Sequence, residues 1–145
     1  MKNHINYSQL YLRLAIGIGF ISAVLDRIGW AGPIGTPNVS WGTWDPFLKY
    51  THSLLPFLPK GISDVMALLA TIAEVVFGIL IIVGFNTRLM AIGSFLLTLV
   101  FAICMTLFFG LKSPLNYSVF AVSAGSLLLS AIPEYKWSID NLLRR

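Results

Sequence analysis

One carboxylate inside a long apolar run is the first feature of this sequence that could do chemistry. Glu74 lies in LLATIAEVVFGILIIVGF, residues 68–85, where Thr71 is the only other polar residue. An ionisable group at membrane depth is costly, and it usually pairs, relays a proton or contacts a polar ligand. Glu74 is therefore a candidate catalytic residue that contacts a headgroup such as that of a quinone, or carries its proton. The alternative is that Glu74 only joins helices, as a protonated or paired side chain.

Arg13 is a second ionisable residue inside an apolar segment. From the helical rise of about 1.5 Å per residue, its depth differs from that of Glu74 by less than the reach of an arginine side chain. A direct Arg13–Glu74 ion pair and an arginine that extends to the membrane interface both remain open.

A further polar group is expected at the far end of the first helix, where it could form a mouth under an aromatic lid. Its members are Asp26, Arg27, Lys112, Asn116 and Tyr117. Asp26 can pair with Lys112 across helices more easily than with its neighbour Arg27, because adjacent residues do not face each other on a helix. Helix capping and contact with lipid headgroups explain the same residues without a ligand.

The elements that must position these residues are apolar segments close to the length of about 20 residues that a membrane-spanning helix needs. They cover residues 7–28, 62–85, 87–111 and 115–132. The links after the second and third segments are short and require antiparallel neighbours. The sequence therefore predicts an all-α fold, an antiparallel four-helix transmembrane bundle that forms one domain over residues 1–145.

Small residues at helical spacing predict the faces on which these helices meet. On the second helix they are Ala67, Ala70, Thr71, Glu74 and Gly78. On the first helix they are Ala15, Gly19, Ser22 and Asp26. We therefore expect both stripes to face protein and Glu74 to face the interior of the bundle.

The link over residues 29–61 is long and combines five prolines with three tryptophans. Trp and Tyr rings prefer the membrane interface. Within this link, WDPFLKYTHSLLPFL predicts a short helix or a re-entrant turn in the interface.

Composition indicates that the bilayer is the solvent for much of the chain. Of 145 residues, 57% are hydrophobic and only 11% are charged, against about 25% charged in soluble domains. The net charge of +4 is scattered, which favours lipid headgroups and argues against nucleic acid as a partner. The single cysteine, Cys104, excludes an intramolecular disulfide, and the two histidines, His4 and His52, predict no metal site.

The distribution of Lys and Arg predicts the orientation. The side with both termini and the link after the second helix has Lys2, Arg88, Lys136, Arg144 and Arg145, and the other side has Lys49, Lys60 and Lys112. We therefore expect a multi-pass protein of the cell (inner) membrane with both termini in the cytoplasm and the 29–61 link outside.

Several stretches resemble the DoxX family of small bacterial membrane proteins. They are LRLAIGIGFISAVLDR, WGTWDPFLKYT, LLATIAEVVFGILIIVGFNTRLMAIGS and MTLFFGLKSPLNYSVF. The resemblance implies a four-helix membrane protein. It also implies kinship with a subunit of a thiosulfate:quinone oxidoreductase and with membrane redox complexes that include soluble partners. Family motif positions are matched by Glu74, Thr87, Arg88, Lys112, Tyr117 and Ser118.

The leading hypothesis is a redox-associated membrane subunit that binds a quinone-like ligand or docks a soluble or membrane redox protein. Its expected binding residues are Arg13, Asp26, Arg27, Arg88, Lys112, Asn116 and Tyr117. The alternative is a non-catalytic membrane scaffold without a ligand. The sequence contains no P-loop, HExxH or nucleophile elbow, so it does not decide whether the chain is an enzyme, and it leaves homo-oligomerisation open.

Overall fold

Helices are the regular elements of the part that the computed structural model describes, residues 2–144, with no strand among them. The helices are α1 (Lys2–Arg27), α2 (Trp44–Leu54), α3 (Lys60–Val83), α4 (Thr87–Phe109), α5 (Lys112–Asn116), α6 (Val119–Ser130) and α7 (Ile139–Leu143). The predicted all-α fold is confirmed.

Helices α1, α3 and α4 are each long and apolar enough to cross a membrane. On α3 the large side chains of Leu68, Leu69 and Ile72 are about half exposed, whereas Ala67 and Gly78 are buried. Lipid supplies no hydrophobic drive between helices, so small residues that allow close backbone approach form the contacts while bulky apolar residues face outward.

The fourth predicted segment, residues 115–132, is not one continuous helix. It is divided between α5 and α6, and Ser118 between them has a left-handed backbone with φ of 54°, a conformation in which an ordinary helix does not continue. With 12 residues, α6 is about 18 Å long, shorter than a hydrocarbon core of about 30 Å. A bundle of four full-length spans therefore stays a prediction.

The long helices pack as antiparallel neighbours along the chain. Gly17 of α1 faces Gly78 of α3, and Phe77 of α3 faces Gly93 of α4. Helix α6 lies against α4, where the Ser123 hydroxyl donates to the carbonyl of Phe95 at 3.4 Å. Helix α2 rests on α3 and α4, which defines one end of the molecule, here called the α2 end. The opposite end, with the α3–α4 turn and the C-terminal segment, is called the α7 end.

The predicted contact stripe is right for α3 and wrong for α1. On α3, Ala67, Thr71, Glu74 and Gly78 are buried and Ala70 is partly buried. On α1, Ala15, Gly19 and Ser22 are exposed, and only Asp26 of that stripe is buried. The buried face of α1 instead contains Gln9, Arg13, Ile16, Gly17, Phe20, Val24 and Arg27, because Gly17 is the glycine that meets α3.

Two segments near the ends of the bundle complete the fold. The 29–61 link contains α2, which buries Phe47, Thr51 and Leu54, so the short-helix interpretation of this link is confirmed. After α6, residues 131–144 fold back across the α7 end, where the Tyr135 hydroxyl donates to the carbonyl of Leu129 at 2.9 Å. The sequence pattern did not predict this return.

Candidate functional site

Glu74 is paired with Arg27, not with Arg13. The Arg27 guanidinium donates from Nη1 to Glu74 Oε2 and from Nη2 to Glu74 Oε1, the latter at 3.1 Å. Nη1 also donates to the Thr71 hydroxyl at 3.0 Å. Arg27 is 5% exposed and Glu74 is 3% exposed. The carboxylate in the apolar run is thus one half of a buried, bidentate ion pair.

Helix geometry explains this partner. Gly17 of α1 and Gly78 of α3 lie at the same level of the bundle. From that level, the backbone of Arg27 lies about 15 Å towards the α2 end along α1, and the backbone of Glu74 lies about 6 Å in the same direction along α3. A side chain on a helix leans towards the N-terminus of that helix. Because α1 and α3 are antiparallel, Arg27 leans into the bundle while Glu74 leans towards the α2 end, so the two charged groups meet between their backbone levels.

Aromatic side chains cover the ion pair. The guanidinium carbon of Arg27 lies 3.9 Å from the ring centroid of Phe47, a cation–π contact. The rings of Trp41 and Trp44 have centroids 5.5 and 5.3 Å from that of Phe47. Trp41 also meets Tyr50 at 4.9 Å, and Tyr50 meets Phe109 at 5.3 Å. These five rings are here called the aromatic cluster, and those of Trp41, Trp44 and Tyr50 come from the link in which the sequence analysis expected a lid.

Asp26 holds the loop that positions this lid. Its carboxylate accepts the backbone N–H groups of Ser40 at 2.9 Å and Gly42 at 3.0 Å, and that of Trp41 at 3.2 Å. The expected Asp26–Lys112 pair is wrong, since Asp26 is buried against the loop and Lys112 is exposed. Three backbone donors satisfy a carboxylate without a cationic partner.

The remaining members of the expected mouth lie at its surface. Lys112, Asn116 and Tyr117 are exposed. Burial raises the pKa of Tyr50, and the nearby Tyr117 raises it further. Arg27 and Asp26 therefore form the buried floor of this region, with α5 and the start of the following turn at its rim.

Arg13 is fully buried within the protein. Its Nε donates to the carbonyl of Ile81 at 2.9 Å and its Nη2 to that of Ile82 at 2.8 Å. These carbonyls belong to the last turn of α3, which lacks partners within its own helix. Nη1 donates to the carbonyls of Lys136 and Trp137 at 3.1 and 3.3 Å. Arg13 therefore caps α3 and fastens the C-terminal segment to it.

Arg88 lies at the α7 end, far along α4 from the ion pair. It is exposed, and its Nε donates to the carbonyl of Ser130 at 3.2 Å. Nearby, Asp140 accepts the backbone N–H groups of Asn86 and Thr87 at 2.7 and 2.8 Å. Sequence reasoning missed Asp140, as it missed Phe47 and Gln9.

The expected site residues thus fall into two groups. Arg27, Glu74, Asp26 and the aromatic cluster meet at the α2 end, with Lys112, Asn116 and Tyr117 at the rim. Arg13 and Arg88 lie towards the α7 end. Within residues 2–144, no group of three His, Cys, Asp or Glu side chains is arranged to hold a metal ion.

Comparison with protein families gives one match. The family model described as DoxX matches residues 8–110, which include Arg13, Arg27, Glu74 and Arg88. Comparisons with curated proteins and with solved structures give no match.

Proposed function

Because the chain belongs to the DoxX family, we propose that it is a membrane subunit of a redox system that binds a quinone-like headgroup at the α2 end. The observation that supports this is the buried Arg27–Glu74 pair beneath the aromatic cluster. An ion pair withdrawn from water inside an apolar bundle is costly to build. Ionisable groups at such depth commonly belong to a ligand or proton path.

Arg27 supplies the donor chemistry of this site. Its Nε is buried and has no hydrogen-bond partner among the described residues. A buried donor without a partner costs free energy, and a carbonyl oxygen of a bound quinone would remove that cost. The rings of Trp41 and Tyr50 offer faces on which the headgroup can stack, and aromatic pairs favour offset or edge-to-face packing.

Glu74 supplies the proton chemistry. Reduction of a quinone to a quinol takes up two electrons and two protons, and the electrons would come from a partner redox protein. A carboxylate that is ionised while paired with Arg27 can accept a proton and pass it to the reduced headgroup. The apolar outer faces of α3 and α4 suit the isoprenoid tail of such a ligand.

A quinone titration tests the proposal. A short-chain ubiquinone or menaquinone analogue added to the purified protein in detergent should quench tryptophan fluorescence saturably and raise the unfolding temperature. Trp41→Phe should remove most of the quenching. Trp137→Phe is the matched control, because Trp137 lies at the α7 end against Tyr7, and it should leave the quenching unchanged. The absence of both quenching and a temperature shift would disprove binding at this site. Equal quenching in the two variants would disprove it as well.

The scaffold alternative has one observation in its favour. Both oxygens of Glu74 already contact Arg27, and the residue is 3% exposed, as expected of a side chain that only fixes helix pairing. Glu74→Gln separates the two functions, since the amide oxygen still accepts from Arg27 but cannot carry the proton. A folded variant with lost pathway activity supports the quinone proposal, and full activity supports the scaffold.

A further inference from the structure

A second candidate site lies at the α7 end. There a cavity of about 330 Å³ opens between the start of α4, residues 133–135 and α7. This volume is at the lower end of the range of about 300–1,000 Å³ that small-molecule sites occupy. Arg88, Tyr135, Asp140 and Arg144 line it, so the cavity has two guanidinium groups and one carboxylate. It is separate from the Arg27–Glu74 pair, which lies at the α2 end.

The carboxylate of Asp140 is already occupied. Its two oxygens accept the backbone N–H groups of Asn86 and Thr87. The two arginines, by contrast, donate only to neutral carbonyls in the hydrogen bonds seen here. Arg88 Nε donates to Ser130 at 3.2 Å, and Arg144 Nη1 donates to Pro133 at 3.3 Å. Among residues 2–144, the ion pairs are elsewhere, so neither guanidinium is neutralised by a carboxylate contact.

The two guanidinium groups line the same cavity as the Tyr135 side chain. Burial raises the pKa of Tyr135, and the charges of Arg88 and Arg144 both oppose that rise. An arginine has five N–H donors in a planar fork, so several donors of each residue are available to an oxygen-rich anion held between them.

An apolar stripe leads away from the cavity along α4. Leu89, Ile92, Leu96, Val100 and Ile103 are exposed at helical spacing, and Leu89 follows Arg88 directly. Leu143 of the cavity wall is 71% exposed. A molecule with a phosphate at the arginines would have these exposed apolar side chains beside it for its acyl chains, and basic pockets between membrane helices suit anionic lipid headgroups.

We propose that the cavity between α4 and α7 binds a negatively charged phosphate group through Arg88 and Arg144. Guanidinium groups bind phosphate oxygens through paired, charge-assisted hydrogen bonds. The group is that of an anionic phospholipid or of a free phosphate, and the same two residues hold either one.

Thermal unfolding of the full chain in a non-ionic detergent tests this site. The probes are short-chain phosphatidylglycerol, short-chain phosphatidylcholine, inorganic phosphate, and sodium chloride at matched ionic strength. Phosphatidylglycerol should raise the unfolding temperature saturably, and phosphatidylcholine and chloride should not. Removal of one charged hydrogen-bonding partner should weaken the apparent affinity by about tenfold or more. Arg88→Gln and Arg144→Gln should each do so, and the double variant should show no saturable shift.

Three variants keep the result interpretable. Lys112→Gln removes an exposed cation at the α2 end and should leave the affinity unchanged. Arg144 is exposed and its hydrogen bond is to the carbonyl of Pro133, so Arg144→Gln tests the site even if Arg88→Gln unfolds. Arg88→Lys should restore part of the affinity, since it keeps the charge and loses the fork.

The comparison of the four probes also identifies the source of the phosphate. A shift with phosphatidylglycerol alone assigns the site to lipid, and a shift with inorganic phosphate alone assigns it to a free anion. Equal shifts with phosphatidylcholine or chloride, no shift with any probe, or a shift that persists in the double variant would overturn the proposal.

Discussion

The side chains of Arg27 and Glu74 meet between antiparallel helices, and each is its partner's main charged contact. Arg27 Nη2 lies 3.1 Å from Glu74 Oε1, and both residues are more than nine-tenths buried. Removal of one member of a buried pair leaves an uncompensated charge, which costs about 3–5 kcal/mol, whereas replacement of both by apolar residues is often nearly neutral.

We therefore expect Arg27→Met and Glu74→Leu to destabilise the protein strongly when made singly. The double variant should recover most of the loss. The measurement is the free energy of unfolding in detergent for the wild type, the two single variants and the double variant, which together form a double-mutant cycle. The exposed Glu134–Lys136 pair, at 3.8 Å, is the matched control, and Glu134→Ala should cost at most about 1 kcal/mol. Additive losses in the buried cycle would contradict the pairing.

Arg13 gives a second prediction, because its removal should free the C-terminal segment. Arg13→Ala leaves the carbonyls of Ile81 and Ile82 without their donor. Since each lost hydrogen bond to a charged group costs about 1.5–3 kcal/mol, the unfolding free energy should fall by about 3 kcal/mol or more. Arg13→Lys should recover little, because an ammonium cannot reproduce the five-donor fork.

Limited trypsin digestion reports on the same residue locally. The carbonyl of Lys136 accepts from Arg13 and from Gln9, so Arg13→Ala should speed cleavage after Lys136. Cleavage after Lys49 in α2 should be unchanged. Leu14→Ala, on the exposed side of the same helix, is the control variant. An unchanged rate at Lys136 would show that Arg13 does not fasten this segment.

The contact face of α3 could be predicted from the sequence, and that of α1 could not. On α3, the small residues and Glu74 share one face, so packing and burial of charge agree. On α1, small residues occur on two faces, Gly17 on one and Ala15 with Gly19 on the other. Burial of the ionisable Arg13 and Arg27 decides between those faces, because neither charge can face lipid cheaply.

The sequence pattern did not predict the long-range contacts between side chains and backbone. Asp140 contacts the backbone of Asn86 and Thr87, and nothing in the periodicity of the intervening residues indicates that meeting. The break at Ser118 was also not predicted, because a serine in an apolar run gives no signal of a left-handed backbone. Only the tryptophans and the tyrosine of the aromatic cluster were predictable as a group, since they are concentrated in one link. Phe47 was missed, and Phe109 comes from α4.

Gly17 and Gly19 provide a third prediction and a matched pair. A Cβ on Gly17 would lie 2.4 Å from Ile82 Cγ1 and 2.7 Å from the carbonyl oxygen of Gly78. Overpacking of this kind costs about 1–3 kcal/mol, so Gly17→Ala should destabilise the protein. A Cβ on Gly19 would meet nothing within 4 Å, and alanine is favoured over glycine in a helix by about 0.5–1 kcal/mol.

Gly19→Ala should therefore be neutral or stabilising. Both variants are compared by thermal unfolding in the same detergent. The reverse order, with Gly19→Ala more harmful than Gly17→Ala, would support the stripe that the sequence first indicated and would contradict the α1–α3 contact described here.

Asp140 gives a fourth prediction, which depends on pH. Burial alone would raise the pKa of Asp140, but the hydrogen bonds from Thr87 and Asn86, together with the charge of Arg144, outweigh it and leave the pKa below its usual value. A carboxylate whose pKa is lower in the folded state contributes stability above the unfolded pKa, about 3.9 for Asp, and loses it as the pH falls through the folded value.

The carboxylate of Asp140 thus acts as an N-cap for α4, since the preceding Asn86 makes no side-chain cap of its own. Asp140→Asn should cost about 0.5–2 kcal/mol at neutral pH. Below about pH 4 the gap between the wild type and the variant should close, because the wild-type carboxylate becomes protonated as well. Asp45→Asn, at an exposed residue of the α2 end, is the control variant. Unfolding curves of the wild type and Asp140→Asn that stay parallel from pH 7 to pH 3 would mean that charge on Asp140 does not hold the start of α4.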